Sequence, residues 1–219
     1  MNHFSEIRQS FAEVKALRAE GDKWRYDEEP LSVFESTFGP VLNGQTIGEL
    51  VSHLRAKKGH VRASNILGGR KVLEELGVDD GVSVRLINKS LVEGDTSKIR
   101  TIGENVLSKK TWEQIPAEQD LILSIGRAAY IGLPVSDDIW YWFLNQAWGK
   151  LAVGGVMLLQ APLGKGSGLE SLSKIAQNVH GVTMRVHRYV DSNDHDTYYA
   201  IYVEKGAGSP KDFPTKSMK

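Results

Sequence analysis

Val182 to Val190 (VTMRVHRYV) and Tyr198 to Glu204 (YYAIYVE) each read as a strand, and the polar turn DSNDHD at 191–196 joins them. β-Branched and aromatic residues dominate both segments, and a short polar connection between two such runs is a hairpin signal. Working back from the hairpin, Leu169 to Val179 is helix-like, and Val156 to Gln160 (VMLLQ) is a continuous apolar run suited to a buried strand. A parallel sheet that closes on an antiparallel hairpin differs from an ordinary dinucleotide-binding sheet, which stays parallel to its last strand.

From His60 onward strands and helices alternate. Strands are expected at 60–66 (HVRASNI), 82–88 (VSVRLIN), 99–103 (IRTIG), 120–125 (DLILSI) and 156–160. Helices are expected between them at 69–76, 108–115 and 138–151. Such alternation implies a mostly parallel sheet with right-handed crossovers. The expected fold is a three-layer α/β sandwich, its seven-stranded sheet mostly parallel and ending in the antiparallel hairpin.

Before residue 60 the pattern is helical. Phe4, Ile7, Phe11, Val14 and Leu17 recur at three- and four-residue steps over 4–19, and a second helical segment spans 31–38. Thr46 and Glu49 stand at capping-box spacing ahead of a third helix, which closes in Lys57-Lys58-Gly59. Residues 1–59 are therefore read as a helical N-terminal extension, 60–205 as the α/β domain, and 206–219, with two prolines and no periodicity, as a disordered tail. The extension is expected to pack over the sheet near its ligand edge, with Trp24 and Phe34 as cleft residues.

Composition narrows the function classes. The 219 residues carry 27 basic and 27 acidic side chains, so net charge does not indicate nucleic acid or an anionic membrane. No cysteine is present, which removes disulfides, thiolate metal sites and a cysteine nucleophile. The six histidines are scattered, and Asp194-His195-Asp196 reads as turn chemistry, so no metal is expected. The opening MNHFSEIRQSF lacks an apolar signal-peptide core, and no run approaches the ~20 apolar residues of a membrane span. A cytoplasmic protein is expected. Trp140, Tyr141, Trp142 and Trp148 share one helix; core packing accounts for such an excess, with a homodimer or partner surface as the alternative.

In an open α/β sheet, ligands bind beyond the carboxyl ends of the strands. The first strand ends in Asn65-Ile66-Leu67-Gly68-Gly69-Arg70, where adjacent glycines let a backbone approach a ligand or simply make a tight turn. The second ends at Asn88, an amide able to bond a ribose hydroxyl or to cap its loop. The third runs into Gly103-Glu104-Asn105-Val106-Leu107, and the fourth into Ser124-Ile125-Gly126-Arg127-Ala128-Ala129-Tyr130.

Over roughly residues 60–204 the chain resembles the class I S-adenosylmethionine-dependent methyltransferases. Gly103-Glu104-Asn105-Val106-Leu107 resembles the family's turn whose acid reads the adenine amino group. Asp120-Leu121-Ile122-Leu123-Ser124 resembles its fourth strand, and residues 148–160 (WGKLAVGGVMLLQ) resemble its long helix, Leu-x-x-Gly-Gly turn and fifth strand. The resemblance implies S-adenosylmethionine as cofactor, bound by Asn65, Gly68, Gly69, Asn88, Glu104, Asn105 and Ser124. It places Arg127 and Tyr130 as candidates facing the methyl acceptor, a small molecule or protein that the sequence does not name.

Two departures bear on that cofactor. The family's loop runs acid, hydrophobic, glycine, any residue, glycine; here Asn65 replaces the acid and Leu67 the first glycine. Leu67 is expected to intrude on the cofactor's path unless Gly68 supplies the turn one position later. Asn88 stands where an acid takes both ribose hydroxyls, and a neutral acceptor bonds about half as strongly. The readings in order are methyl transfer, a non-catalytic binding or scaffolding protein on the same fold, and a nicotinamide oxidoreductase, which the hairpin and the missing Gly-x-Gly-x-x-Gly oppose.

Overall fold

The computed structural model describes residues 30–85, 95–104, 106–125, 137–162, 169–190 and 197–214. The expected helix at 4–19, Trp24 and the hairpin turn lie outside these residues. In chain order the elements are α1 (Leu31–Phe38), α2 (Ile47–Lys58), β1 (Arg62–Ile66), α3 (Arg70–Glu75), β2 (Asp80–Arg85), β3 (Ile99–Gly103), α4 (Lys109–Gln114), β4 (Gln119–Ser124), α5 (Asp137–Lys150), β5 (Leu151–Pro162), α6 (Leu169–Gln177), β6 (Val182–Val190) and β7 (Thr197–Lys205).

The strands form one seven-stranded sheet in the order β3-β2-β1-β4-β5-β7-β6. β1 to β5 pair in parallel, and β7 enters between β5 and β6, antiparallel to both. The hairpin therefore sits where its sequence placed it, with Met157 opposite Val203 and Val186 opposite Ile201.

Alternation along each strand sends apolar side chains to both faces, as helices on either side require. Ile66, Val84, Ile122, Met157 and Ile201 meet α4, α5 and α6 on one face. Ala63, Leu121, Leu123, Val156 and Leu158 meet α1, α2 and α3 on the other. The aromatic helix is core: Trp140, Phe143 and Trp148 are buried, and Trp112 meets Phe143 edge to face at 5.4 Å.

α2 forms as its caps dictate. Thr46 Oγ1 accepts from the Glu49 N–H, Glu49 returns the bond to the Thr46 N–H, and Gly59 closes the helix at φ +75°. Its last turn is tied to the amino ends of the strands. Lys58 pairs with Asp120 at 2.6 Å, Asp120 also accepts from the Arg62 N–H, and Arg55 pairs with Asp79, which accepts from the Val61 N–H. The described part of the N-terminal extension thus covers one sheet face and ends at the edge opposite the strand carboxyl ends. Phe34 is 4% exposed within that core and is not a cleft residue.

β5 is longer than the expected 156–160. It begins at Leu151, and the Gly154-Gly155 pair lies in a bulge of β5, whose extra residues stand between the pairs Gln119–Leu151 and Leu121–Val156. Gly154 takes φ +76°, and a Cβ on Gly155 would stand 2.8 Å from the Gln119 carbonyl. The glycines thus let two strands pass at a bulge.

The tail corrects an expectation. Residues 206–214 are not disordered: the Trp148 indole N–H donates to Pro210 O, the Phe213 N–H donates to Asn145 Oδ1, and Phe213 is 2% exposed against the Trp148 ring. A buried indole N–H needs an acceptor, and the tail supplies it.

Candidate functional site

β1 is the pivot of the sheet. The chain passes from β1 to β2 and β3 on one side, then crosses back to β4 on the other. Loops leaving the carboxyl ends of β1 and β4 therefore diverge, and the crevice between them is where this class of sheet takes ligands.

Two buried acceptors stand at that pivot. Asn65 on β1 and Ser124 at the end of β4 are both fully buried. Asn65 Oδ1 and Ser124 Oγ have no hydrogen-bond partner among the described residues. An unsatisfied buried polar atom costs about 1–3 kcal/mol, so its retention calls for an explanation. The two side chains leave the sheet on opposite faces. Leu123, the β4 neighbour of Asn65, belongs to the α1–α3 core, and Ser124 follows it by one residue.

The turn after β1 is built from below. The Leu67 N–H donates to Val84 O at 2.7 Å, Ser83 Oγ donates to Gly68 O at 3.0 Å, and Asn65 Nδ2 donates to Gly69 O at 2.9 Å. Asn65 and Ser83 are register partners on adjacent strands, so two neighbouring side chains hold two successive carbonyls. Ser83 was not among the sequence candidates. Its signal is a small polar residue flanked by Val82 and Val84.

Leu67 itself corrects two expectations. It adopts φ +66°, the left-handed conformation in which a side chain is strained, whereas Gly68 is not among the positive-φ glycines. Gly68 therefore does not take over the turn one position later. Nor does Leu67 intrude on the crevice, because its side chain is 2% exposed within the core shared with α4 and α5. The pressure that makes residue 68 a glycine comes from inside: a Cβ there would overlap the Asn65 amide. Gly69 precedes α3 at φ −74°, a value open to any residue.

Glu104 follows β3 and is half-buried, separated from Asn65 by the width of β2. Asn88, Asn105, Arg127 and Tyr130 lie outside the described residues. The structure thus brings Asn65, Gly68 and Gly69 together in one turn, with Ser124 on the adjoining strand. No group of three His, Cys, Asp or Glu side chains able to hold a metal occurs among the described residues.

The shifted titratable groups lie away from this edge. The Val61 N–H holds the Asp79 carboxyl below its usual 3.8 against an opposing desolvation, and Arg55 adds to the lowering. Burial lowers Lys150 and Lys205. Tyr202 is pushed up to about 12, first by burial and then by Glu204, to which its hydroxyl donates. Each belongs to helix or sheet packing. The described part of the carboxyl edge offers hydrogen-bonding groups and shape, which suits chemistry that depends on positioning.

No protein-family profile matches the sequence, and no curated protein matches it. Solved structures do. The N-methyltransferase NodS from Bradyrhizobium japonicum WM9, in complex with S-adenosyl-L-homocysteine, superposes with a TM-score of 0.53 at 12% identity, covering 90% of this chain and 98% of that one. The DhpI–S-adenosylhomocysteine complex gives 0.49 at 15% identity over 90% and 97% of the two chains. The O-methyltransferase from Bacillus cereus in complex with S-adenosylhomocysteine gives 0.47 at 15% identity over 90% and 91%. At these identities the likeness is one of fold.

Proposed function

We propose, from the premise that this chain has the class I S-adenosylmethionine-dependent methyltransferase fold, that it binds S-adenosylmethionine at the carboxyl edge of β1 and β4 and transfers its methyl group. The observation that carries the reading is the pair of buried, partnerless acceptors, Asn65 Oδ1 and Ser124 Oγ, at the pivot of a sheet with this strand order. A ligand bearing hydroxyl and amino donors fits acceptors of this kind. Asn65, the Gly68-Gly69 turn, Glu104 and Ser124, with Asn88 and Asn105, would hold the cofactor. Arg127 and Tyr130 would face the acceptor.

When bound, the cofactor supplies a methyl group on a sulfonium. The chain then has only to exclude water and align an acceptor in line with that methyl, and proximity supplies most of the rate. No helix among the described residues is long and apolar enough to cross a membrane.

A second reading, a non-catalytic binding or scaffolding module, is favoured by one observation. The β1–α3 turn closes on itself: its carbonyls are held by Asn65 and Ser83, and the space beside Gly68 is filled by the Asn65 amide. Calorimetric titration of the full chain with S-adenosylhomocysteine separates the two. Methyl transfer requires binding, weakened several-fold by Glu104→Ala. No heat up to about 1 mM ligand, a free energy of only about −4 kcal/mol, selects the second reading.

A further inference from the structure

We propose that Asn65 is a positioning residue whose amide, by donating to Gly69 O, sets the orientation of the β1–α3 turn, so that this chain requires a hydrogen-bond donor where its fold relatives' pattern places an acid. The part concerning ligand affinity rests on the cofactor reading above; the part concerning the turn does not.

The amide's orientation follows from its partner. Only Nδ2 can donate to a carbonyl, and its 2.9 Å bond to Gly69 O turns Oδ1 to the other side. Ser83 Oγ holds the preceding carbonyl, that of Gly68, at 3.0 Å. Each peptide unit is planar, with its C=O and the next N–H opposed. Fixing the Gly68 and Gly69 carbonyls on the side of Asn65 and Ser83 therefore aims the N–H groups of Gly69 and Arg70 the opposite way. Two side chains under the turn thus decide which way its donors face.

A carboxylate at position 65 cannot reproduce this. It has no proton to give to Gly69 O, and an ionised oxygen held against a carbonyl oxygen repels it. The carboxyl introduced by Asn65→Asp would make the bond only when protonated, so its pKa would rise and the turn would open as pH increases through that raised value. The charged groups on the element packed over it are Arg70, paired with Glu74 at 2.7 Å, and Lys71 with Glu75, both on α3. On either side in the sheet, Asn65 meets Ser83 and Leu123. Gly68 supports the same picture, because its φ is not positive and the three atoms nearest a Cβ there all belong to the Asn65 amide.

The test uses the full chain and four variants: Asn65→Asp, Asn65→Ala, Gly68→Ala and the double Asn65→Ala/Gly68→Ala. Without ligand, the unfolding midpoint of Asn65→Asp should fall relative to the parent as pH is raised from ~4.5 to ~8, the window above an ordinary Asp. Gly68→Ala should destabilise the parent clearly, yet add little to Asn65→Ala, where the amide no longer occupies the space. With S-adenosylhomocysteine, Asn65→Asp should bind about tenfold more weakly at pH ~8 and recover toward the parent at pH ~5, the loss of about one hydrogen bond. Equal or tighter binding by Asn65→Asp at pH ~8, a midpoint that tracks the parent's across pH, or additive costs of Asn65→Ala and Gly68→Ala would each overturn the inference. A parent that binds no cofactor while the unfolding results hold refutes the function proposed above and leaves the turn inference standing.

Discussion

Leu67 combines a strained backbone with a buried side chain, and replacing it separates the two. Its side chain is 2% exposed in the core beneath α4 and α5, so Leu67→Ala should cost about 3 kcal/mol, within the usual range for a buried leucine. In a chain of this size that lowers the thermal midpoint by about 6–12 °C. The residue also sits at φ +66°, where an L side chain costs about 1–2 kcal/mol relative to glycine. Leu67→Gly loses the same packing but sheds the strain, so it should be more stable than Leu67→Ala by about 1 kcal/mol, after allowing for glycine's extra freedom in the unfolded chain. That order reverses the usual ranking of alanine above glycine. Urea unfolding of the parent and both variants, with equal m-values as the check on the unfolded state, measures both differences. If Leu67→Gly matched or exceeded the parent, the side chain would not be a core anchor. If alanine outranked glycine, the left-handed conformation would be wrong.

Two further outcomes follow from the packing. Phe213→Ala should destabilise by about 3 kcal/mol in urea unfolding, because the ring is buried against Trp148; a silent substitution would mean that residues 206–214 are not part of the core. Asp79 has a folded pKa below 3.8, so its ionised form stabilises the fold above that pH, and the contribution is lost as pH falls through the lower folded value. The stability of Asp79→Asn should therefore change less than the parent's on acidification below pH ~4, as acid titration followed by circular dichroism would show.

The sheet was legible because its signals are local and periodic. Strand-like segments alternating with helical ones mark β1 to β5, with short apolar runs in β4 and β5, and the hairpin at 182–204 declares its own pairing. Thr46 and Glu49 marked the start of α2 because a capping box lies within four residues. What was hidden depends on partners distant in sequence. The composition of 206–214 resembles a free tail, and only the position of Trp148, 62 residues away, shows why it is held. Gly154-Gly155 looked like a turn because only the pairing with β4, distant in sequence, shows that the two glycines lie in a bulge within β5. At the site, Asn65 and Gly68 were visible as residue types. Their roles were not, since an asparagine read against a family pattern looks like a lost acid, while in space it is a donor beneath its own turn. Leu67 misled for the same reason: a glycine position filled by leucine suggests obstruction until its side chain is seen to enter the core.

The place of β7 between β5 and β6 also governs how the chain comes off the ribosome. β5 carries Val156, Met157, Leu158 and Leu159, all buried in the finished sheet, and its outer edge is covered only by residues synthesised some 40 positions later. β6, made before β7, has no partner until β7 arrives. Until Lys205 has cleared the exit tunnel, the nascent chain therefore leaves the outer edge of the strongly apolar β5 and the whole of β6 unpaired, the condition under which polypeptides associate with one another. Translation that stalls or terminates before residue 197 should yield insoluble product or a chaperone-bound fragment, not a smaller working domain. For this sheet, completion is an all-or-nothing event decided by its last strand.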